Sequence, residues 1–332
     1  MRILVVGAGG VGGYFGGRLL EAGRNVTFLV RPRRAALLAK NGLMIRSAFG
    51  DYHRDSPPIV TADLLTAPFD LIILSCKAYD LEDAIKSFAP AVGANTAILP
   101  LLNGMRHLDA LAGRFGAGPI LGGQCAISAT LGRDGAIVHH NEMQTLGFGE
   151  LDGSRSPRVD AIASQLVGVS GFEAHLSEAI RQEMWEKWVF IAAAAGITCL
   201  MRSAVGDYLA AGASDLATGI LDECAAIAAG QGYPPRSAML ARARAILTAD
   251  GSPLKASMLR DIEAGNPVEG DQILADLLRR ASKPDECLLL RIATLHVKAY
   301  EAGRVRAATG ARGRGLRRRA PWYIGGRFAN TD

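Results

Sequence analysis

The apolar positions in the first 130 residues occur in short continuous segments, and these segments alternate with stretches of helical periodicity. Continuous apolar segments bounded by Gly, Pro or Asn are typical of strands in a parallel sheet that helices cover on both faces. The pattern predicts strands over residues 2–6, 25–30, 70–76, 97–101 and 119–125, with helices over 12–22 and 33–39. The pattern of residues 132–149 predicts an antiparallel segment outside the parallel sheet, with strands over 136–139 and 144–148.

The pattern changes at about residue 177. From there to residue 302 it consists of long helical stretches rich in Ala and Leu, without a convincing strand. We therefore predict an α/β, Rossmann-type doubly wound N-terminal domain over 1–176 and an all-α C-terminal domain over 177–302. Residues 303–332 are rich in Arg and Gly and lack apolar periodicity, which predicts an Arg-rich mobile tail.

Charge and cysteine content exclude several function classes. The 332 residues carry a formal net charge of +5, but residues 303–332 contain eight arginines and one acid, so the rest carries −2. This nearly neutral body argues against a nucleic-acid partner. The longest apolar stretch, the 14 residues 188–201, is too short to span a membrane and predicts a buried core helix. The five cysteines stand far apart without metal-ligand spacing, so we predict reduced thiols, no metal site and a cytoplasmic location.

The turn after the first predicted strand carries a glycine motif. Gly7-Ala8-Gly9-Gly10-Val11-Gly12 matches G-x-G-x-x-G directly between a strand and a helix. In this context Gly7 permits the tight turn, Gly9 lets a pyrophosphate approach the backbone, and Gly12 lets the helix pack on the strand. The alternative is a glycine-rich turn without a ligand, but the position of the motif favours a dinucleotide at the helix N-terminus.

The end of the second predicted strand indicates which dinucleotide is bound. An enzyme that uses NAD usually has Asp or Glu there, to accept a hydrogen bond from the ribose 2′-hydroxyl. This chain has no acid at that place and reads Val30-Arg31-Pro32-Arg33-Arg34. A guanidinium offers planar, charge-assisted hydrogen bonds to a 2′-phosphate, so we predict NADPH with Arg31 on that phosphate. Arg33 and Arg34 fit a solvated start of the next helix.

Further candidate residues lie along the chain. Lys77 and Asn103 each follow a predicted strand, at the carboxyl edge where doubly wound sheets bind ligands. Lys187, Ser257 and Glu269 lie in the helical part. Each has an ordinary explanation: Asn103 can form a turn with the glycine after it, Lys187 can form an i, i+4 ion pair, Glu269 can cap a helix, and Ser257 can be a solvated helix residue.

Taken together, these segments resemble the ketopantoate reductase (2-dehydropantoate 2-reductase) family. The resemblance covers about residues 1–300 and rests on the glycine motif, Lys77, Asn103-Gly104-Met105, Trp185-Glu186-Lys187, Ser257-Met258-Leu259-Arg260-Asp261 and Glu269. It implies NADPH-dependent reduction of a 2-keto acid to a D-configured 2-hydroxy acid, in a cleft between a Rossmann domain and a helical domain. The reaction it implies first is that of 2-dehydropantoate to (R)-pantoate, as in pantothenate biosynthesis. It also makes a homodimer plausible.

The resemblance also implies a role for each candidate. Lys187 is the expected general acid, since an ammonium beside the carbonyl oxygen stabilises the developing alkoxide and supplies the proton. Glu269 is expected to bind the substrate hydroxyl and to border the cofactor, and Ser257 to hold the carboxylate. Asn103 is expected between nicotinamide and substrate, and Lys77 on the cofactor side.

The chain departs from the family where asparagines usually follow the catalytic lysine by one and two helical turns. Here these positions are Ile191 and Ala195, on the same helix face as Lys187. We therefore expect a substrate that is bulkier or more apolar than ketopantoate, unless other residues supply the missing hydrogen bonds. Another alternative is an NADPH-binding sensor without catalysis, against which the retention of Lys187, Ser257 and Glu269 argues.

The cofactor preference can be tested directly. Because Arg31 replaces the usual acid, we expect a higher kcat/KM with NADPH than with NADH. The two values are compared in steady-state assays at one fixed concentration of the same 2-keto acid. A preference for NADH would contradict the prediction.

Overall fold

The computed structural model describes residues 1–314, with side chains through residue 309. In that range the strands are β1 (Arg2–Val6), β2 (Asn25–Leu29), β3 (Leu43–Arg46), β4 (Tyr52–Arg54), β5 (Ile59–Val60), β6 (Leu71–Leu74), β7 (Ala97–Pro100), β8 (Gly122–Leu131), β9 (Ile137–Gly149) and β10 (Glu173–Leu176). The helices are α1 (Gly10–Glu21), α2 (Pro32–Asn41), α3 (Leu81–Phe88), α4 (Arg106–Phe115), α5 (Pro157–Leu166), α6 (Ile180–Met201), α7 (Val205–Ala210), α8 (Ser214–Gly230), α9 (Ser237–Leu247), α10 (Ser257–Glu263), α11 (Asp276–Arg279) and α12 (Leu288–Arg314). A π-helical turn, Asp271–Ala275, precedes α11.

A parallel five-stranded sheet in the order β5-β2-β1-β6-β7 lies at the centre of the N-terminal half. β1 pairs with β2 on one side and with β6 on the other, so that Val5 lies opposite both Phe28 and Ile73. The chain therefore reverses its direction of winding at β1. The carboxyl ends of β1 and β6 flank the crevice where such sheets bind ligands. The predicted Rossmann-type domain followed by a helical domain is confirmed.

A second sheet differs from the predicted arrangement. The segment 119–125 was expected to extend the parallel sheet, but only Ile120 bridges to it, opposite Ile98. The chain then enters β8, which pairs with β9 in antiparallel orientation, while β3 and β10 pair with β9 in parallel. The expected strands 136–139 and 144–148 are one continuous strand, β9. A short apolar segment can form a strand in either sheet. The local sequence pattern therefore could not show which of the two sheets this segment joins.

Helix α1 lies between the two sheets. Ile3 and Val5 of β1 share a buried cluster with α1 and with the second sheet, whereas Leu4 and Val6 point to the opposite face, against α3 and α4. The glycines of α1 allow this close packing. A Cβ on Gly17, for example, would come within 2.6 Å of the Ile45 side chain in β3. Both faces of the parallel sheet are thus covered, as its continuous apolar strands require.

The helical half packs around α6. This helix is long and apolar enough to span a membrane by length and composition, but 72% of its most apolar window is buried inside the protein, as expected for a core helix. The last helix, α12, runs to Arg314, so residues 303–314 of the expected tail are helical. This segment lacks apolar periodicity, but it continues α12, whose earlier part packs against α6 and α8. Residues 315–332 of that tail lie outside the described residues.

Close packing of β8 on the glycine turn can be tested by mutation. A Cβ on Gly10 would collide with the Ala129 carbonyl group of β8, so we expect Gly10→Ala to lower the free energy of unfolding by about 1–3 kcal/mol. The matched control is Gly113→Ala in α4. A Cβ there meets no atom within 4 Å, so the control should gain about 0.5–1 kcal/mol. Urea unfolding measures both; equal stabilities of Gly10→Ala and wild type would contradict the packing.

Candidate functional site

The glycine turn has the geometry of an anion-binding strand–helix junction. Gly7 has φ +94°, which favours glycine, and its N–H donates to the Leu29 carbonyl oxygen at 3.0 Å. A Cβ on Gly12 would collide with the Gly7 carbonyl oxygen and the Ser75 hydroxyl group. A Cβ on Gly9 would meet nothing within 4 Å, so this side of the turn is open. A dinucleotide phosphate fits here, at the N-terminus of α1.

The other residues of the motif hold the turn in place. Ala8 is buried, and its carbonyl oxygen accepts a hydrogen bond from Arg34 Nε at 2.9 Å. Arg34 also donates to the Gly135 carbonyl oxygen in the β8–β9 turn at 3.0 Å. Val11 packs against the cluster between the two sheets. Arg34 is thus half-buried, and the interpretation of this residue as solvated is wrong.

Arg31 lies at the carboxyl end of β2, as predicted. Its side chain is 67% exposed and donates to Asp80 Oδ1 at 2.7 Å. The hydrogen bond and the charge of Asp80 raise the pKa of Arg31. Asp80 was missed in the sequence, although it follows Lys77 by three residues at the same sheet edge.

Lys77, Asp261 and Glu269 form an ion cluster between the two halves. Lys77 Nζ lies 3.4 Å from Asp261 Oδ2 and 3.3 Å from Glu269 Oε2, and Glu269 Oε1 accepts from the Ala78 N–H at 2.9 Å. Burial acts to lower the pKa of Lys77, but the charges of Glu269 and Asp261 outweigh it, so the pKa is raised. Glu269 therefore fixes the segment after β6 to the helical half.

Lys187 and Asn103 line a narrow pocket. Lys187 Nζ donates to the Cys125 carbonyl oxygen in β8 at 2.6 Å, across the boundary between the halves. Ile191 lines the same pocket, one turn beyond Lys187 on α6. Ala195 is not among the lining residues and packs in the helical core. The apolar replacement at the pocket is therefore one residue rather than two.

The structure does not bring Ser257 to Lys187. Ser257 is exposed at the first position of α10, its side chain makes no hydrogen bond within residues 1–309, and it lies one turn before Asp261. A groove of about 690 Å³ opens beside Glu269, between α3, α4 and α12. Its lining contains neither Lys187 nor Ser257. The candidate residues thus form two groups, one around Glu269 and one around Lys187.

The π-helical turn connects the two groups. Gln272 Nε2 donates to the Asn103 carbonyl oxygen at 2.9 Å, and the Gln272 N–H donates to the Glu269 carbonyl oxygen at 3.1 Å. Trp188 Nε1 donates to the Ile273 carbonyl oxygen at 2.9 Å. Gln272 was missed in the sequence, because it lies 169 residues from Asn103 and carries no motif.

A buried histidine lies beside this connection. His107 is fully buried, its Nδ1 lies 3.4 Å from Gln272 Nε2, and its Nε2 has no hydrogen-bond partner among the described residues. Burial lowers the pKa of His107 to about 3, with smaller contributions from the charges of Lys187 and Arg280. The ring is therefore neutral at physiological pH. Within residues 1–314 no group of three or more His, Cys, Asp or Glu side chains could hold a metal ion.

Comparison with known proteins identifies the family. The family model described as Ketopantoate reductase PanE/ApbA matches residues 3–153, and the model of its C-terminal part matches residues 179–286. The chain belongs to the ketopantoate reductase family. As a member it is an oxidoreductase that acts on a CH–OH group, and the enzymes of this family use NAD(P)H and a small keto-acid substrate.

Individual relatives agree with this family. The "Uncharacterized oxidoreductase YkpB" of Bacillus subtilis is 42% identical over 210 residues, which are 63% of this chain and 68% of the relative. A 2-dehydropantoate 2-reductase of Mesorhizobium japonicum is 27% identical over 211 residues, 56% of this chain and 63% of the relative. The crystal structure of 2-dehydropantoate 2-reductase from Methylococcus capsulatus superposes with a TM-score of 0.76 at 26% identity, over 96% of this chain and 99% of that chain.

The neutral state of His107 predicts a pH dependence of stability. Its pKa falls from 6.5 in the unfolded chain to about 3 in the folded one, so between these values only the unfolded state binds the proton. The free energy of unfolding should therefore fall as pH is lowered through this window, by up to about 1.4 kcal/mol per pH unit from this group. Urea titrations at several pH values should give a shallower dependence for His107→Leu. The exposed His140→Leu is the control, and equal slopes for wild type and His107→Leu would contradict the assignment.

Proposed function

We propose that this chain reduces 2-dehydropantoate to (R)-pantoate with NADPH, in the cytoplasm and as a step of pantothenate biosynthesis. The observation that carries the proposal is the pocket shared by Lys187 and Asn103, beside the carboxyl edge of the dinucleotide-binding sheet. Membership in the ketopantoate reductase family supports it. The bound NADPH supplies the hydride for the reaction.

Lys187 is proposed as the proton donor. One of its three N–H groups donates to the Cys125 carbonyl oxygen, which orients the ammonium and leaves two for the substrate. An ammonium held beside the keto oxygen stabilises negative charge there and transfers its proton as the carbonyl carbon is reduced. Asn103 lines the same pocket and is proposed to lie between nicotinamide and substrate.

The other candidates are proposed to bind and orient. Lys77 and Glu269 are proposed to border the cofactor, and Glu269 accepts hydrogen bonds from Lys77 Nζ and from the Ala78 N–H. The predicted bond from Glu269 to the substrate hydroxyl is not part of this proposal, because Glu269 and Lys187 lie in separate groups. Arg31 exchanges Asp80 for the 2′-phosphate of NADPH, which costs little because this ion pair is exposed. The predicted bond from Ser257 to the substrate carboxylate is not part of this proposal, because the carboxylate and the keto group are on adjacent carbons and Ser257 lines neither pocket. A homodimer is proposed on family likeness alone.

A second candidate function is reduction of a more apolar 2-keto acid. Ile191 in the pocket favours it, because an aliphatic side chain offers no hydrogen bond to a substrate hydroxyl. NADPH oxidation with a panel of 2-keto acids separates the candidates. Ketopantoate should give the highest kcat/KM; a higher value for an apolar acid would support the second function, and no turnover of any acid would support a sensor.

Replacement of Lys187 tests the proton-donor role. We expect Lys187→Ala to lower kcat by about 10²- to 10⁴-fold, the usual contribution of general acid catalysis. The dissociation constant of NADPH should change little, because Lys187 lies outside the glycine turn. The matched control is Lys86→Ala, an exposed lysine on α3, which should retain wild-type kcat. Turnover of Lys187→Ala within about tenfold of wild type would remove this role from Lys187.

A further inference from the structure

The pocket around Lys187 contains one polar side chain that the family resemblance does not assign. Besides Lys187 and Asn103, the lining residues are Leu102, Gly104, Gly123, Gln124, Met184, Trp188 and Ile191. Gln124 and Asn103 are thus the two lining residues with an amide side chain. It lies in β8 next to Cys125, whose carbonyl oxygen accepts from Lys187.

The orientation of Gln124 is fixed by an acidic side chain. Gln124 Nε2 donates to Glu183 Oε2 at 3.3 Å. The Glu183 carboxylate is itself held by Ser177 Oγ, which donates to Oε1 at 2.5 Å, and by His175 Nε2, which lies 3.1 Å from Oε2. Glu183 precedes Lys187 by one turn of α6. The part of the helix that carries Lys187 therefore also holds the side chain of Gln124.

A glycine opposite Gln124 provides the space for this arrangement. Gly147 of β9 pairs with Gln124 across the sheet. A Cβ on Gly147 would lie 2.8 Å from His175 Nε2 and 3.2 Å from Gln124 Nε2. Any larger residue would therefore displace the amide or the imidazole from Glu183. The amide nitrogen of Gln124 is thus held at Glu183, and its carbonyl oxygen, Oε1, accepts no hydrogen bond from the part of the chain that the structure describes.

The chemistry of an acceptor at this place limits its substrate partner. The carboxylate and the keto oxygen of a 2-keto acid are themselves acceptors, so neither can pair with Gln124 Oε1. A hydroxyl group on the carbon chain of the substrate can donate to it. We infer that Gln124 is a specificity-determining residue, which accepts a hydrogen bond from a substrate hydroxyl and so selects hydroxylated 2-keto acids. This inference rests on the proposed reductase function and assigns to Gln124 a bond that Ile191 cannot make.

Two substrates that differ only in this hydroxyl test the inference. They are ketopantoate and its analogue in which hydrogen replaces the hydroxyl group. Gln124→Met keeps the side-chain length and removes the acceptor. We expect it to lower kcat/KM for ketopantoate about tenfold, the effect of one hydrogen bond, and to leave the value for the analogue unchanged. A merely structural role would lower both values together.

The control variant is Gln165→Met on α5, outside the pocket, which should retain the wild-type ratio of the two kcat/KM values. A ratio within twofold of wild type in Gln124→Met would overturn the inference. If the wild type reduces neither acid, the proposed function fails. The inference about Gln124 is then tested by calorimetry, which measures the binding of both acids to the complex with NADP⁺. A hydroxyl preference in binding that Gln124→Met abolishes supports the inference, and equal binding of the two acids overturns it.

Discussion

The hydrogen bond from Lys187 to the Cys125 carbonyl oxygen joins the two halves of the protein at the site. The lysine belongs to the helical half, whereas the dinucleotide turn belongs to the sheet. In its proposed role as proton donor, Lys187 must be held at the edge where the dinucleotide ends. The bond requires β8 to leave the parallel sheet after Ile120 and to pass beneath α6. The path of β8 therefore brings Lys187 of the helical half to the sheet half.

The side chains of His107 and Gln272, near the hydrogen bond between Lys187 and Cys125, are uncharged. His107 stays neutral chiefly because burial lowers its pKa, and the charge of Lys187 adds a smaller effect in the same direction. Gln272 fills the space between His107 and the Asn103 turn with an amide rather than a charged group. The cations and anions of the other group, Lys77 with Glu269 and Asp261, compensate one another at a separate place.

Much of the fold could be predicted from the sequence because its strands are local apolar segments and its first turn has a distinctive glycine motif. The positions of Lys187 and Asn103 followed from the same local patterns and from family likeness. Arg34, Gln124 and Gln272 could not be recognised, because their roles come from contacts between residues that are distant in the chain. Arg34 reaches Gly135, 101 residues away, and Gln272 reaches Asn103. The sheet that contains β8 depends on pairing with β9, which local periodicity does not specify.

The strand β8 also has a consequence for the dimensions of the site. Its Cys125 holds Lys187, and its Ala129 lies against Gly10 at the start of α1. Three residues of β8 separate these two contacts, and the pairing of β8 with β9 is irregular between Ile127 and Ala129. The spacing between the glycine turn and the proposed proton donor thus depends on one continuous segment of backbone. β8 therefore acts as a spacer that sets the separation between the start of α1 and the backbone group that holds Lys187.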